Sequence, residues 1–122
     1  MTTTALQKQA LGRYGETVAE RHLVDQGMLV LDRNWRCDEG EIDLVLRDGD
    51  VLVVCEVKTR SSDQFGSPHE AVDDAKVERL RRLADRWKTE RSLTNVPDVR
   101  FDLVAVRHTP KGAALVDHVR GL

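Results

Sequence analysis

Residues 40–60, GEIDLVLRDGDVLVVCEVKTR, read as a β-hairpin. Two runs of alternating apolar residues flank Asp48-Gly49, a dipeptide that favours a tight turn. Ile42, Leu44 and Leu46 fall on one face of the first run; Val51, Val53, Cys55 and Val57 fall on one face of the second. Successive side chains of a strand point to opposite sides, so joining the two apolar sets constrains the pairing. The expected register pairs Leu46 with Val51, Leu44 with Val53, Asp43 with Val54 and Glu41 with Glu56.

That register gathers Glu41, Asp43, Glu56 and Lys58 on the other face. Asp43 and Glu56 become diagonal neighbours, about 7–8 Å apart at Cα. Carboxylates so spaced can share a hard divalent cation, which takes oxygen ligands and usually one or two carboxylates beside water and phosphate. Lys58 follows on the same side, in reach of a scissile phosphate. The plainer alternative is a solvated charged face, since half-exposed antiparallel hairpins are common. Leu52 and Val54 share that face, however, which predicts a covering helix. Three facing acids also repel unless a cation sits among them. The local pattern leaves both readings open.

The 122 residues suit one domain, 1–122, with residues 1–4 and the last few expected to be flexible. A composition of 40% hydrophobic and 33% charged residues is that of a globular chain and too apolar for disorder. A net charge of −2 argues against a highly basic, nonspecific nucleic-acid binder. Cys55 is expected in the core and Cys37 in a loop. Two cysteines alone make no zinc site, and no disulfide is expected in a reduced, cytoplasmic protein. No secretory signal and no apolar run of roughly 20 residues is found.

Apolar residues recur at helical spacing from Ala5 to Gln26: Leu11, Tyr14, Val18 and His22, with Ala19 and Leu23 on the flank. Gly27 ends this helix. Gly12 and Gly15 weaken it by roughly 1 kcal/mol each, which a close approach of helix to sheet would offset. His22 reads as a structural histidine. Met28 to Trp35 forms a strand, with Trp35 packing in the core or at its edge and Arg33 and Arg36 near its end. Thr59 to Gly66 reads as a polar loop at the mouth of the charged face. Ser67-Pro68-His69-Glu70 has the form of a capping box opening a second helix that runs to Arg91. Val72, Leu80, Leu83, Ala84 and Trp87 form its apolar stripe, and Lys76 interrupts it. Lys76 either snorkels from the edge or points toward the acids or a phosphate. Arg79, Arg81, Arg82, Arg86 and Lys88 make this helix the most basic element, and its exposed face is the best candidate for nucleic-acid backbone binding. Val99 to Arg107 forms a further strand in which Asp102 reads as structural. A turn at Thr109-Pro110-Lys111-Gly112 leads into a last strand, Ala113 to Val119.

An acid in one strand followed by Glu-x-Lys in the next resembles the PD-(D/E)xK nuclease superfamily. The chain is more closely similar to the YraN-like uncharacterised protein family, UPF0102. Its GRYGE, RNWR, GEIDL, EVKTR, FGSP and RFDLVAV motifs follow that family's order over roughly residues 12–106. The resemblance implies an α/β fold with a restriction-endonuclease-like core: a mixed sheet of about five strands flanked by helices, in the order αβββαββ. It implies Asp43 and Glu56 as ligands of Mg²⁺ or Mn²⁺, with the Val57 carbonyl added, and Lys58 as the catalytic lysine. Related resolvase-like nucleases carry a first-helix glutamate that reaches the metal, and Glu16 matches it. Spacing alone would leave Glu16 an ordinary surface residue.

The expected function is a metal-dependent endonuclease acting on nucleic acid, with structured or branched DNA more expected than RNA. By analogy with archaeal Holliday-junction resolvases, it would act as a homodimer. Arg60, Lys76, Arg36, Arg82 and Arg86 are the residues expected at the phosphates. Two alternatives stand beside it: a nucleic-acid-binding module that does not cut, and a structural or adaptor protein whose acids pair with Lys58 and Lys76.

Overall fold

The structure, a computed structural model, describes residues 4–61, 73–93, 95 and 98–122. Helix α1 spans Ala5–Asp25, followed by β1 Leu29–Cys37, β2 Gly40–Asp48 and β3 Val51–Ser61. Helix α2 spans Asp74–Glu90, and β4 Asp98–His108 and β5 Leu115–Arg120 complete the chain. The strands form one sheet in the order β1-β2-β3-β4-β5. Only β3 and β4 run parallel, because α2 carries the chain across the sheet between them. This is the mixed, five-stranded α/β fold expected from the sequence.

The helices cover opposite faces. On one, Ala19 and Leu23 of α1 pack on Leu44, Leu46, Val53, Cys55, Val104 and Val106. On the other, Leu80, Leu83, Ala84 and Trp87 of α2 pack on Trp35, Ile42, Val45, Leu52, Val54 and Phe101. The covering helix predicted by Leu52 and Val54 is therefore α2. Among the described residues, no helix is long and apolar enough to cross a membrane.

Several boundaries differ from expectation. Thr4 is not frayed: its side chain accepts from Gln7 N while the Gln7 side chain accepts from Thr4 N, closing a capping box. The buried stripe of α1 is Gly15, Ala19 and Leu23 rather than Tyr14, Val18 and His22. Small residues there let the helix lie close to the sheet, and a reading by bulk overlooks them. Cys37 ends β1 instead of lying in a loop, and Thr59, Arg60 and Ser61 continue β3 along β4. The described part of α2 starts at Asp74, where Asp73 accepts from Lys76 N. The expected box at Ser67, Pro68 and Glu70, with Val72, lies outside the described residues. The C-terminus is tied down: Leu122 N donates to Phe101 O and Gly121 N to Asp102 Oδ1.

The hairpin register is two residues off the expected one. Leu46 pairs with Val53 and Leu44 with Cys55, and Asp48 joins the ladder opposite Val51. The turn is then Gly49-Asp50, with Gly49 at φ +61, which suits a glycine-first two-residue turn. An even shift preserves the faces, so the charged face survives the error. One residue does change sides. Ile42 packs under α2 while Leu44 packs under α1. Between the pairs Arg33–Leu44 and Trp35–Ile42 lies Asn34 of β1 at φ +50, a conformation asparagine tolerates better than most residues.

Candidate active site

The site forms where β2 and β3 part. Their ladder ends at Leu44 and Cys55. One pair further on, the Asp43 carboxylate takes the place of a backbone acceptor: Val57 N donates to Asp43 Oδ2 at 2.8 Å. Asp43 and Glu56 are the residues that follow the last pair, Leu44 and Cys55, on the two strands. Burial pushes the Asp43 carboxyl up to about 6; the Val57 N–H opposes this, and the negative charges of Glu16, Glu56 and Glu41 add to it. Asp43 thus senses Glu16 on α1 and Glu56 on β3.

Glu56 faces α2. Its Oε2 lies 3.0 Å from Lys76 Nζ, and each side chain is only 16% exposed. The contact is an ion pair but not a directed hydrogen bond, so this buried oxygen has charge compensation without a donor. Lys58 is held below the usual lysine range by partial burial and then by the like charge of Lys76, against the pull of Glu56 and Asp43. Lys76 therefore points at the acids, as one of its two sequence readings had it.

Helix α1 supplies Glu16 through a close approach. A Cβ built on Gly15 would lie 1.7 Å from Thr59 Oγ1 and 2.7 Å from Thr59 Cβ, so only glycine lets the helix sit against β3 beside Lys58. Gly12 has nothing within 4 Å; it borders open space. Gly15→Ala is expected to cost about 1–3 kcal/mol by overpacking, even after the gain in helix propensity. Gly12→Ala is expected to stabilise by up to about 1 kcal/mol. Urea denaturation of the two variants tests this, and equal effects would rule out the close approach.

Glu16 divides two clefts. One, of about 410 Å³, is lined by Lys8, Gly12, Glu16, Lys58, Thr59 and Ser61 among others. The second, of about 250 Å³, lies toward Arg13, Arg33 and Asn34. Lys8 and Arg13 escaped the sequence reading. The available signal was helical spacing: Lys8, Gly12 and Glu16 recur every four residues and share a face.

The other expected phosphate contacts are less well placed. Arg36 pairs with Glu41 at 3.0 Å, and Arg86 pairs with Asp38 and Glu39 of the β1–β2 connection. Arg86 stands about 15 Å along α2 from Lys76. Arg82 is exposed on the same helix, and Arg60 lies in β3 beside Arg107 of β4.

As they stand, no three His, Cys, Asp or Glu side chains among the described residues are close enough to hold a metal ion. Asp43 and Glu56 nevertheless suit a hard cation. They are oxygen donors on adjoining strands, one with a raised carboxyl and one with an undirected buried oxygen, and such a cation needs only one or two carboxylates.

A second charged cluster is structural, as expected of Asp102. This fully buried residue takes Arg100 Nε at 2.9 Å and the Gly121 N–H at 3.1 Å, and its Oδ2 lies 2.8 Å from His118 Nε2. Burial alone would raise its carboxyl; the hydrogen bonds from Arg100, His118 and Gly121 outweigh that and hold it below the usual range. His22 packs edge-on against His118 and contacts Gln26, also in a structural role.

Fold and site together define a mixed α/β protein with carboxylates and lysines gathered where two strands part, beside a cleft lined by Glu16, Lys8 and Lys58. The pattern of the uncharacterised protein family UPF0102 matches residues 15–106, a span that holds Glu16, Asp43, Glu56, Lys58 and Lys76. The chain belongs to that family. It is 64% identical to a UPF0102 protein of Nocardioides sp., covering all of this chain and 99% of the other. It is 58% identical to one of Frankia alni, covering 93% and 94%, and 56% identical to one of Streptomyces coelicolor, covering 93% and 88%.

Proposed function

We propose that this protein is a metal-dependent nuclease that hydrolyses phosphodiester bonds, with structured or branched DNA as the preferred substrate. The observation that carries the reading is the meeting of Asp43, Glu56 and Lys58 where β2 and β3 part, with Glu16 brought in from α1. Asp43 and Glu56 would hold Mg²⁺ or Mn²⁺, with Glu16 and the Val57 carbonyl completing the shell. A cation there supplies Lewis acidity toward the phosphoryl oxygens and acidifies water. Lys58 orients the attacking water or neutralises charge that develops on the phosphate; its depressed basicity suits an exchange of protons. The lysine-lined cleft beside Glu16 leaves room for the nucleic-acid backbone, and Lys8 and Arg60 lie on elements bordering it. Two copies would engage a branched substrate; the warrant for the dimer is analogy with resolvases.

The test is a gel assay with Mg²⁺ or Mn²⁺ on duplex, single-stranded, flapped and four-way-junction DNA and on structured RNA. Lys58→Ala is expected to lower the cleavage rate by about 10²-fold or more, as loss of one preorganised cationic contact does, and Asp43→Ala should abolish cleavage. Binding without cleavage would favour the non-cutting module. The Lys76–Glu56 ion pair is what the structural reading anticipates. A folded protein that binds neither Mn²⁺ in calorimetry nor nucleic acid would establish that reading instead.

A further inference from the structure

We propose that Lys76 is an internal stand-in for the cation: it neutralises Glu56 while the metal is absent and must leave that carboxylate for the metal to enter. The inference rests on the nuclease reading and adds a competition within the site.

Lys76 occupies a sheet-facing position of α2. It precedes Leu80 by one turn and Leu83 by two, both of them core residues. Burying an ammonium there is costly unless it is paired. It also lies in the first turn of α2, where the helix dipole disfavours a positive charge. Both penalties are accepted at one place, 3.0 Å from Glu56 Oε2, and even there the ammonium is not aligned as a hydrogen-bond donor. Lys76 therefore compensates charge at Glu56 without a directed bond to hold it. Lys58 stands close enough to repel it. Two ammonium groups are stable together only while Glu16, Asp43 and Glu56 lack another counter-ion. A dication between Asp43 and Glu56 reverses that balance and turns Lys76 from a neutraliser into a second repelled charge. Its long stem then lets the ammonium swing away from Glu56.

The experiment is Mn²⁺ titration calorimetry, without nucleic acid, on the wild type, Lys76→Met and Lys76→Arg. Each is paired with thermal unfolding in the absence of metal. Lys76→Met should bind Mn²⁺ about five- to tenfold more tightly than the wild type, the low end of the usual range for coupled sites. It should also unfold at a lower temperature without metal and gain more from Mn²⁺ than the wild type does. Lys76→Arg keeps the charge and should stay near wild-type affinity, which guards against a mere packing effect. If the wild type binds Mn²⁺ and Lys76→Met binds it no more tightly, this inference falls while the nuclease reading stands. If none of the three binds Mn²⁺, both fall.

Discussion

Asp43→Asn is expected to make the metal-free protein more stable at pH 8 while abolishing Mn²⁺-dependent cleavage. The Asp43 carboxyl is raised to about 6, so the folded protein holds its proton more tightly than the unfolded chain, where an aspartate titrates near about 4. A raised carboxyl contributes stability that is complete below about pH 4 and is lost as pH rises through about 6. At pH 8 the wild type bears the full cost of a buried charge facing Glu16 and Glu56, about 2–3 kcal/mol at 1.36 kcal/mol per pH unit. Asparagine can still accept the Val57 N–H but never ionises, so the variant avoids that cost. Urea unfolding at pH 8 should show the gain, and the gain should shrink to nothing near pH 4, where the wild type is also neutral. A variant equally displaced at both pH values would mean that the effect is packing rather than charge. The same substitution removes an oxygen of the proposed metal site, so on that reading Mn²⁺ should stabilise the wild type at pH 8 and leave the variant unmoved. Stability set against activity is common at sites that hold like charges together.

Asp102→Ala should have the opposite character: a large loss of stability with no direct effect on the cleft. Asp102 is fully buried and takes Arg100, His118 and the Gly121 N–H, and Arg100 reaches on to Asp48 at 3.1 Å. Removing the carboxylate leaves Arg100 with Asp48 alone, leaves a nearly buried His118 without its acceptor, and takes away one of the hydrogen bonds that hold Gly121 and Leu122 to β4. Breaking a buried charge network from one side typically costs about 3–5 kcal/mol. Asp102→Asn keeps part of the hydrogen bonding and should cost less. The pH dependence also reverses. Because Asp102 is held below the usual carboxylate range, its stabilisation is present above the unfolded value, about 4, and disappears as pH falls through the folded one. Acid denaturation followed by circular dichroism should therefore be less steep in the asparagine variant than in the wild type. A variant with wild-type stability and wild-type acid response would remove Asp102 from any structural role.

The two predictions separate two acids that look alike in the sequence, each flanked by apolar residues in a strand. Asp43 meets other acids at the end of a ladder; Asp102 meets an arginine, a histidine and a backbone N–H. Arg100 lies two residues from Asp102, but the other partners that distinguish the two acids, Glu56 and Val57 for one and His118 and Gly121 for the other, lie 13 to 19 residues away in the chain.

What the sequence determined by itself follows from local physics. Period-two alternation in residues 40–60 placed two strands, and a helix-period stripe at Leu80, Leu83, Ala84 and Trp87 placed the covering helix. The order αβββαββ was legible as well; that β3 and β4 pair in parallel is seen only in the fold. Asp43, Glu56 and Lys58 were legible as one charged face because a strand's parity survives an even slip in register. Tertiary structure alone decided what depends on contacts distant in sequence. Gly49, not Asp48, opens the turn, which shifted the pairing by two residues and set Leu44 opposite Cys55. Ile42 lies under α2 although Leu44, two residues on, lies under α1. Gly15 matters because of Thr59, and Lys76 reaches Glu56 because α2 crosses over β3. Local preference is settled within a few residues along the chain. The charge balance of the cleft is settled only when four elements meet, and pairing energies between them are not written in any one element.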